Sequence, residues 1–376
     1  MTAEAGTEQD ERLLIDPYED WAAAEPVPIV EGYGIDLLDV ETKPWPRFGV
    51  EGAIVHLKAR ADFTTLFLHT LAPGASSAPV RHLYEQLVYV LEGHGSTRIE
   101  GPGGREIAFE WGPRSLFALP LNAPYRLFNG SGRETAVLAC CNNLPLVLNL
   151  FLDEGFVFDC ERSFPARFGP EGYFEGEGRE IPLPKGPGLW ETNFVADMAA
   201  FELKPYAVRG PGSSSIQFLL GNGVMKAHCS AMPVGTYKKA HRHGPDFFLF
   251  NVTGSGYSLM WYDGDGDFVR IDWRHGVVFS PPDQMYHQHF NTGPEPARYL
   301  AMNIGNRRYP FTSERKKQAR ALGVSVKDGG RQIEYEDQDP RIHRLYLDEL
   351  ARHGAACRMG EFMDESVLLE RMAEGA

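Results

Sequence analysis

The chain has 376 residues with 43% hydrophobic and 23% charged positions, the make-up of a globular protein large enough for two domains. Its formal net charge of −14 excludes a nucleic-acid partner, because that function runs on clustered Lys and Arg. No apolar run approaches the ~18 residues of a membrane-spanning helix, the first twenty residues are acidic and polar, and five cysteines show no CxxC spacing; a cytoplasmic protein with free thiols is expected.

Residues 1–45 read as an irregular N-terminal arm. From residue 51 short strand-like patches follow one another: GAIVHLKA, FTTLFLHTLAPG, EQLVYVLEGHG, REIAFEW, SLFALP and ETAVLACC. They are rich in β-branched and aromatic residues and are separated by Gly, Pro or Asn turns, the pattern of a sandwich or barrel. Residues 46–150 are therefore assigned to a first barrel. Pro and Gly clusters in 151–205 mark a connector with a helical turn or two. The pattern restarts in 206–312 with IQFLLGNG, KAHCSAMPVGTY, FFLFNVTGSGYSLMWYDG, FVRIDWRHGVVFSPPD, QHFN and RYLAMNIG. The order of events repeats, at a period of roughly 160 residues, so two copies of one domain are implied. The stretches GPGG and YDGDGDF read as hairpin turns. Residues 313–376 form a helical tail. Within it the basic run RKKQAR at 315–320 reads as a solvated face, and a helix begins with Asp339 as N-cap and stops at Gly354. Ile342, Leu345, Tyr346 and Leu350 make its apolar stripe.

The chemistry-bearing stretch is GTYKKAHRHGPDFF, residues 235–248. On a strand, His241 and His243 project to one side, and a third imidazole from a neighbouring strand completes a set able to hold a divalent first-row ion. Gly235, His241, His243 and Gly254 at their spacing, followed by Gly276, Pro282, His287 and Asn291, resemble the two motifs of the cupin family. Phe247 stands where that family has its Glu, and Gln284 stands in a Gly position. The resemblance implies an all-β fold of two tandem cupin (double-stranded β-helix, jelly-roll) barrels and one metal per chain on His241, His243 and His287. A three-histidine shell without carboxylate is similar to that of thiol, diketone and gentisate-type iron dioxygenases. It implies Fe(II), with Zn, Mn and Ni as alternatives. Asp246, next to Phe247, is the alternative source of a carboxylate.

His289, two residues past His287, faces the same interior as a catalytic base, a fourth ligand or a packed core residue. Tyr237 and Lys239 share the parity of His241 and are candidate substrate-binding residues, although a Lys at a strand end also reaches solvent. Phe247 is expected to line the pocket. The first repeat aligns as Val80, His82, Gln86 and Tyr125 at the ligand positions. One imidazole cannot hold a metal alone, so that barrel is expected to be structural or to supply dimer contacts. The expected function is an Fe(II)-dependent dioxygenase joining O2 to a small anionic or phenolic substrate, in a homo-oligomer, with no membrane partner. The alternative is a non-redox lyase, isomerase or decarboxylase using Zn, Mn or Ni as a Lewis acid.

Overall fold

A computed structural model describes residues 15–61, 63–183, 186–245, 247–311, 313 and 323–374. The basic run at 315–320 lies outside the described residues, as does Asp246.

The first barrel consists of β1 (Val50–Leu57), β2 (Thr65–Leu71), β3 (Gln86–Glu92), β4 (Gly95–Glu100), β5 (Glu106–Trp111), β6 (Leu116–Leu119), β7 (Tyr125–Asn129) and β8 (Ala136–Asn142). The second consists of β9 (Ser214–Leu219), β10 (Met225–Met232), β11 (Phe248–Thr253), β12 (Gly256–Trp261), β13 (Val269–Trp273), β14 (Val277–Phe279), β15 (Tyr286–Asn291) and β16 (Ala297–Ile304). In the first, β1-β2-β8-β3-β6 form one sheet and β7-β4-β5 the other; in the second, β9-β10-β16-β11-β14 and β15-β12-β13 do the same. Each strand of one barrel thus has its counterpart eight places later, and the fold is two tandem jelly rolls.

Motif residues that repeat without carrying chemistry explain themselves here. Gly93 and Gly254 both take positive φ, and a Cβ would sit 2.6 and 2.7 Å from the Cα of Ala136 and Ala297, respectively. Asn129 donates to the carbonyls of Leu71, Ala72 and Glu134. Asn291 donates in the same way to Met232, Pro233 and Glu295. Both residues tie a strand end to the turn opposite it.

The two barrels pack face to face. Along β3, Val88 and Val90 point into the first barrel while Leu87, Tyr89 and Leu91 enter a shared apolar layer with Phe218, Phe250, Leu300 and Met302. Strands buried on both faces read as continuous apolar runs, which is why EQLVYVL shows no alternation.

The arm and the connector are more structured than expected. The arm contains a helix, Pro17–Ala24, capped by Asp16, and the strands Ile29–Gly32, Gly34–Asp36 and Lys43–Trp45. Ile29–Gly32 pairs parallel with β1 of its own barrel, and Gly34–Asp36 then crosses to the edge of β14 in the other. The connector mirrors this: Gly188–Glu191 pairs parallel with β9, and Phe194–Val195 pairs with β6 of the first barrel. Strands of two to four residues are too short for a period-2 signal to show. In the tail, Asp339 caps the helix Pro340–His353 and Gly354 ends it in the left-handed region. Ile342, Tyr346 and Leu350 pack with Tyr237, Tyr257 and Phe290 on the outer face of the second barrel; Leu345, assigned to that stripe, is exposed, and His343 is buried instead.

Candidate metal centre

The run before β11 is not the continuous strand that its alternation suggests. Lys238 N–H donates to the His289 carbonyl, whereas His241 and His287 exchange N–H···O bonds in both directions. Three steps on one side therefore face two on the other. The extra residue is a bulge, and it reverses the parity. Lys238 and His241 consequently share the interior, and the expectation for Tyr237 and Lys239 is corrected. Tyr237 is buried among Tyr335, Tyr346 and Phe290 outside the cavity, and Lys239 pairs with Glu334 of the tail.

Inside the barrel the imidazoles converge. One ligand nitrogen from each of His241, His287 and His289 lies within 4.8 Å of the others. His243 stands against His287, ring centroids 4.5 Å apart. The spacing-based set of His241, His243 and His287 is thus joined by His289, and His289 rather than His243 completes the tightest triplet. The other ring nitrogens are occupied. Nδ1 of His241 bonds the Lys239 carbonyl at 3.1 Å, that of His243 the Gly244 carbonyl at 2.8 Å, and that of His287 the Met285 carbonyl at 3.1 Å. A carbonyl only accepts, so each Nδ1 carries the proton and each Nε2 keeps its lone pair, the arrangement in which histidine binds metal. His289 differs: its Nδ1 lies 2.8 Å from the Ser258 hydroxyl, which also accepts from Trp273 Nε1 at 2.9 Å.

Burial keeps all four rings neutral. It holds His241 and His289 well below the ordinary imidazole range, aided by the positive field of Arg209 and by neighbouring histidines. His243 is lowered by burial and then by His287, and His287 falls to about 3 through burial despite its bond to Met285. Neutral imidazoles with fixed lone pairs fit a divalent first-row ion.

The histidines form the floor of a cavity of about 570 Å³. Its wall contains Arg209, Lys226, Lys238, Arg242, Arg307, Arg308 and Arg331 and, among the described residues, no carboxylate, in a chain whose net charge is −14. Arg242 and Arg308 are paired with Asp263 and Glu191. Lys238, buried at 3% exposure, donates to two hydroxyls, Ser230 Oγ at 2.5 Å and Tyr299 Oη at 3.0 Å, and its Nζ sits 4.7 Å from the centre of the Tyr299 ring. The Nε of Arg209 is buried without a partner among the described residues. Phe247 lines the cavity as expected, its ring centroid 4.1 Å from that of His243, beside Leu249 and Ala301.

Sequence reasoning missed this cationic wall. Lys226, His228 and Ser230 alternate inward along β10 and were legible as such. Arg209, Arg307 and Arg331 come from loops and the tail, where no periodicity points at the cavity.

In the first barrel the equivalent floor is closed. His82 spends Nδ1 on the Tyr84 carbonyl and Nε2 on the Tyr125 hydroxyl, and the Tyr84 ring stacks on it at 3.6 Å. Among the described residues no metal-competent cluster forms there.

No family model matches the chain, and no curated protein does. Among solved structures it is similar to oxalate decarboxylase from Bacillus subtilis, with 15% identity over 73% of this chain and 78% of that one and a TM-score of 0.47. A tryptophan-to-tyrosine variant of that enzyme gives 16%, the same coverages and 0.47. A third structure, described for its Mn(II) centres, gives 15%, the same coverages and 0.46. Function has to be read from the site itself.

Proposed function

We propose that the second barrel is a non-redox metalloenzyme centre, of the decarboxylase, lyase or isomerase class, acting on a small organic substrate that carries one or two carboxylates. The observation that carries the reaction class is the presence of His289 in the same 4.8 Å set as His241 and His287, with His243 alongside. With His243, which lies outside that set but against His287, as a fourth ligand, four imidazoles around a six-coordinate ion would leave two positions. A bidentate carboxylate would fill both and leave none for O2.

A divalent ion held there, Mn, Zn, Ni or Fe(II), supplies Lewis-acid polarisation of the carboxylate or an adjacent carbonyl. The protein groups do the rest. Arg209 and Lys238 supply the positive charge that recognises the substrate anion, and ion-paired hydrogen bonds of this kind are the strong ones. Ser230 and Tyr299 hold the Lys238 ammonium in place. The Tyr299 hydroxyl, which accepts from Lys238, retains a proton to donate to a developing carbanion. Phe247, Leu249 and Ala301 form the apolar side of the cavity and keep water from competing.

A second reading rests on Ser258. If its hydroxyl donates to His289 Nδ1, the proton moves to Nε2 and His289 leaves the ligand set. His241, His243 and His287 would then hold the ion alone, and with Fe(II) such a centre would supply the O2 chemistry of the dioxygenase expected from the sequence. The two readings separate in one experiment: metal analysis of anaerobically purified protein, then conversion of a panel of small carboxylates and phenols with and without O2. The proposal expects anaerobic turnover with no O2 consumed. Substrate-dependent O2 uptake by the Fe(II)-loaded protein sinks it in favour of the dioxygenase.

A further inference from the structure

Outside the barrel, the tail helix Pro340–His353 buries His343 completely, at 0% exposure. Its Nδ1 lies 3.1 Å from the Tyr237 hydroxyl, which accepts from Gln338 Nε2 at 2.7 Å. Its Nε2 is buried and has no partner among the described residues. After Gly354 the chain doubles back. Arg358 N–H bonds the Gly235 carbonyl at 2.8 Å, and Tyr237 N–H points at Met359 Sδ at 3.4 Å. This return places Cys357 and Glu365 beside the imidazole, so that one ligand atom of each of His343, Cys357 and Glu365 lies within 4.8 Å of the others. Cys357 Sγ donates to Glu365 Oε1 at 3.2 Å. That bond satisfies the thiol and leaves the imidazole nitrogen unused.

We infer that His343, Cys357 and Glu365 form a second metal site, for a thiophilic divalent cation of the zinc class. A nitrogen, a thiolate and a carboxylate are a tetrahedral zinc donor set, with water in the fourth position. With Nδ1–H donating to the Tyr237 hydroxyl, which takes the Gln338 Nε2–H on its other lone pair, Nε2 keeps its lone pair and the phenol is the outer support that such a histidine ordinarily has. The role that follows is structural. The three donors come from the long tail helix, the return loop and the start of the last helix, Glu365–Glu374, whose Val367 and Leu369 remain exposed. A cation would clamp this weakly buried helix to the segment that leads through Tyr237 to His241.

Cobalt tests this on the full-length protein after removal of metals with a chelator. A thiolate bound to Co(II) gives a charge-transfer band in the near ultraviolet, and an all-imidazole site does not. Wild type is expected to develop that band and to take up two Co(II) per chain. Cys357→Ser, at a half-buried position, should lose the band and one equivalent. Glu365→Gln should weaken cobalt binding at this site by more than about tenfold, since even outer-shell changes cost that much. His287→Ala, which disrupts the barrel centre alone, should keep the band, so failure of one site is distinguishable from failure of the other. Absence of a thiolate band in folded wild type overturns the inference, as does its persistence in Cys357→Ser.

Discussion

Acid should destabilise the first barrel through its buried histidines, and His82→Gln isolates the effect. Burial lowers His56 and His82 to about 4 and His69 to about 3, with the charges of Arg60 and His82 adding to the effect at His56 and His69. In the unfolded chain each ring titrates near 6.5. Below that pH the unfolded state binds protons that the native state refuses, so stability is fully present above about 6.5 and is lost as pH falls toward 4. Moving from pH 7.5 to 5.5 costs about 1.4 kcal/mol for each such ring, or about 4 kcal/mol for the three. Carboxylates near their ordinary values titrate mostly below this window. The assay is urea unfolding followed by tryptophan fluorescence at both pH values, with chelator present so that the second barrel's histidines contribute equally to both proteins. His82→Gln shortens the list by one. Its absolute stability falls, because it gives up bonds to Tyr84 and Tyr125, but its loss between the two pH values should shrink by about 1.4 kcal/mol. Equal pH losses in mutant and wild type would refute the reasoning.

His287→Ala should strip the barrel metal and abolish activity, because His287 touches both His241 and His243; full metal occupancy there by elemental analysis of the double variant with Cys357→Ser contradicts the ligand assignment. Arg209→Gln should raise KM about tenfold or more with kcat little changed, the signature of lost ground-state anion binding in steady-state kinetics. Phe247→Glu places a carboxylate beside His243, and it should keep the metal while losing most turnover through competition with the anionic substrate, measured by paired metal and activity assays. Ser258→Ala should leave metal content intact if His289 is a ligand by its own geometry; metal loss on that change would show that the hydroxyl fixes the ring.

The jelly-roll pair and the histidine floor were legible because both depend on spacing. His-x-His and a third His set 44 residues after the second (287 − 243) survive translation into structure, since each sits where a strand pairing holds it. Parity arguments failed at Tyr237 and Lys239 because one extra residue between 238 and 241 turns the chain over, and no residue type announces such a bulge. Gln284 sits in a position of positive φ, 57°, that the cupin-like motif gives to Gly; the sequence showed the departure but not that the backbone conformation persists. The cationic wall was illegible for a different reason. Its members are drawn from a loop at 209, strand β10 at 226, the bulged run at 238–242 before β11, and segments at 305–310 and 331, and only the closed fold brings them to one cavity.

The crossing strands set a timetable for synthesis. The first barrel has all eight of its own strands once Asn142 is made, yet the edge of β6 stays open until Phe194 and Val195 arrive, 53 residues later (195 − 142). Gly34–Asp36 must wait far longer, because its seat on β14 begins at Val277, 241 residues downstream (277 − 36). A nascent chain growing at about 5–20 residues per second therefore carries an unpaired leader for ten seconds or more. During that interval the leader can pair with the same edge on a neighbouring chain emerging from the same message. Slowed translation between residues 195 and 277 should raise the yield of exchanged multimers, whereas refolding of the finished chain at high dilution should give none.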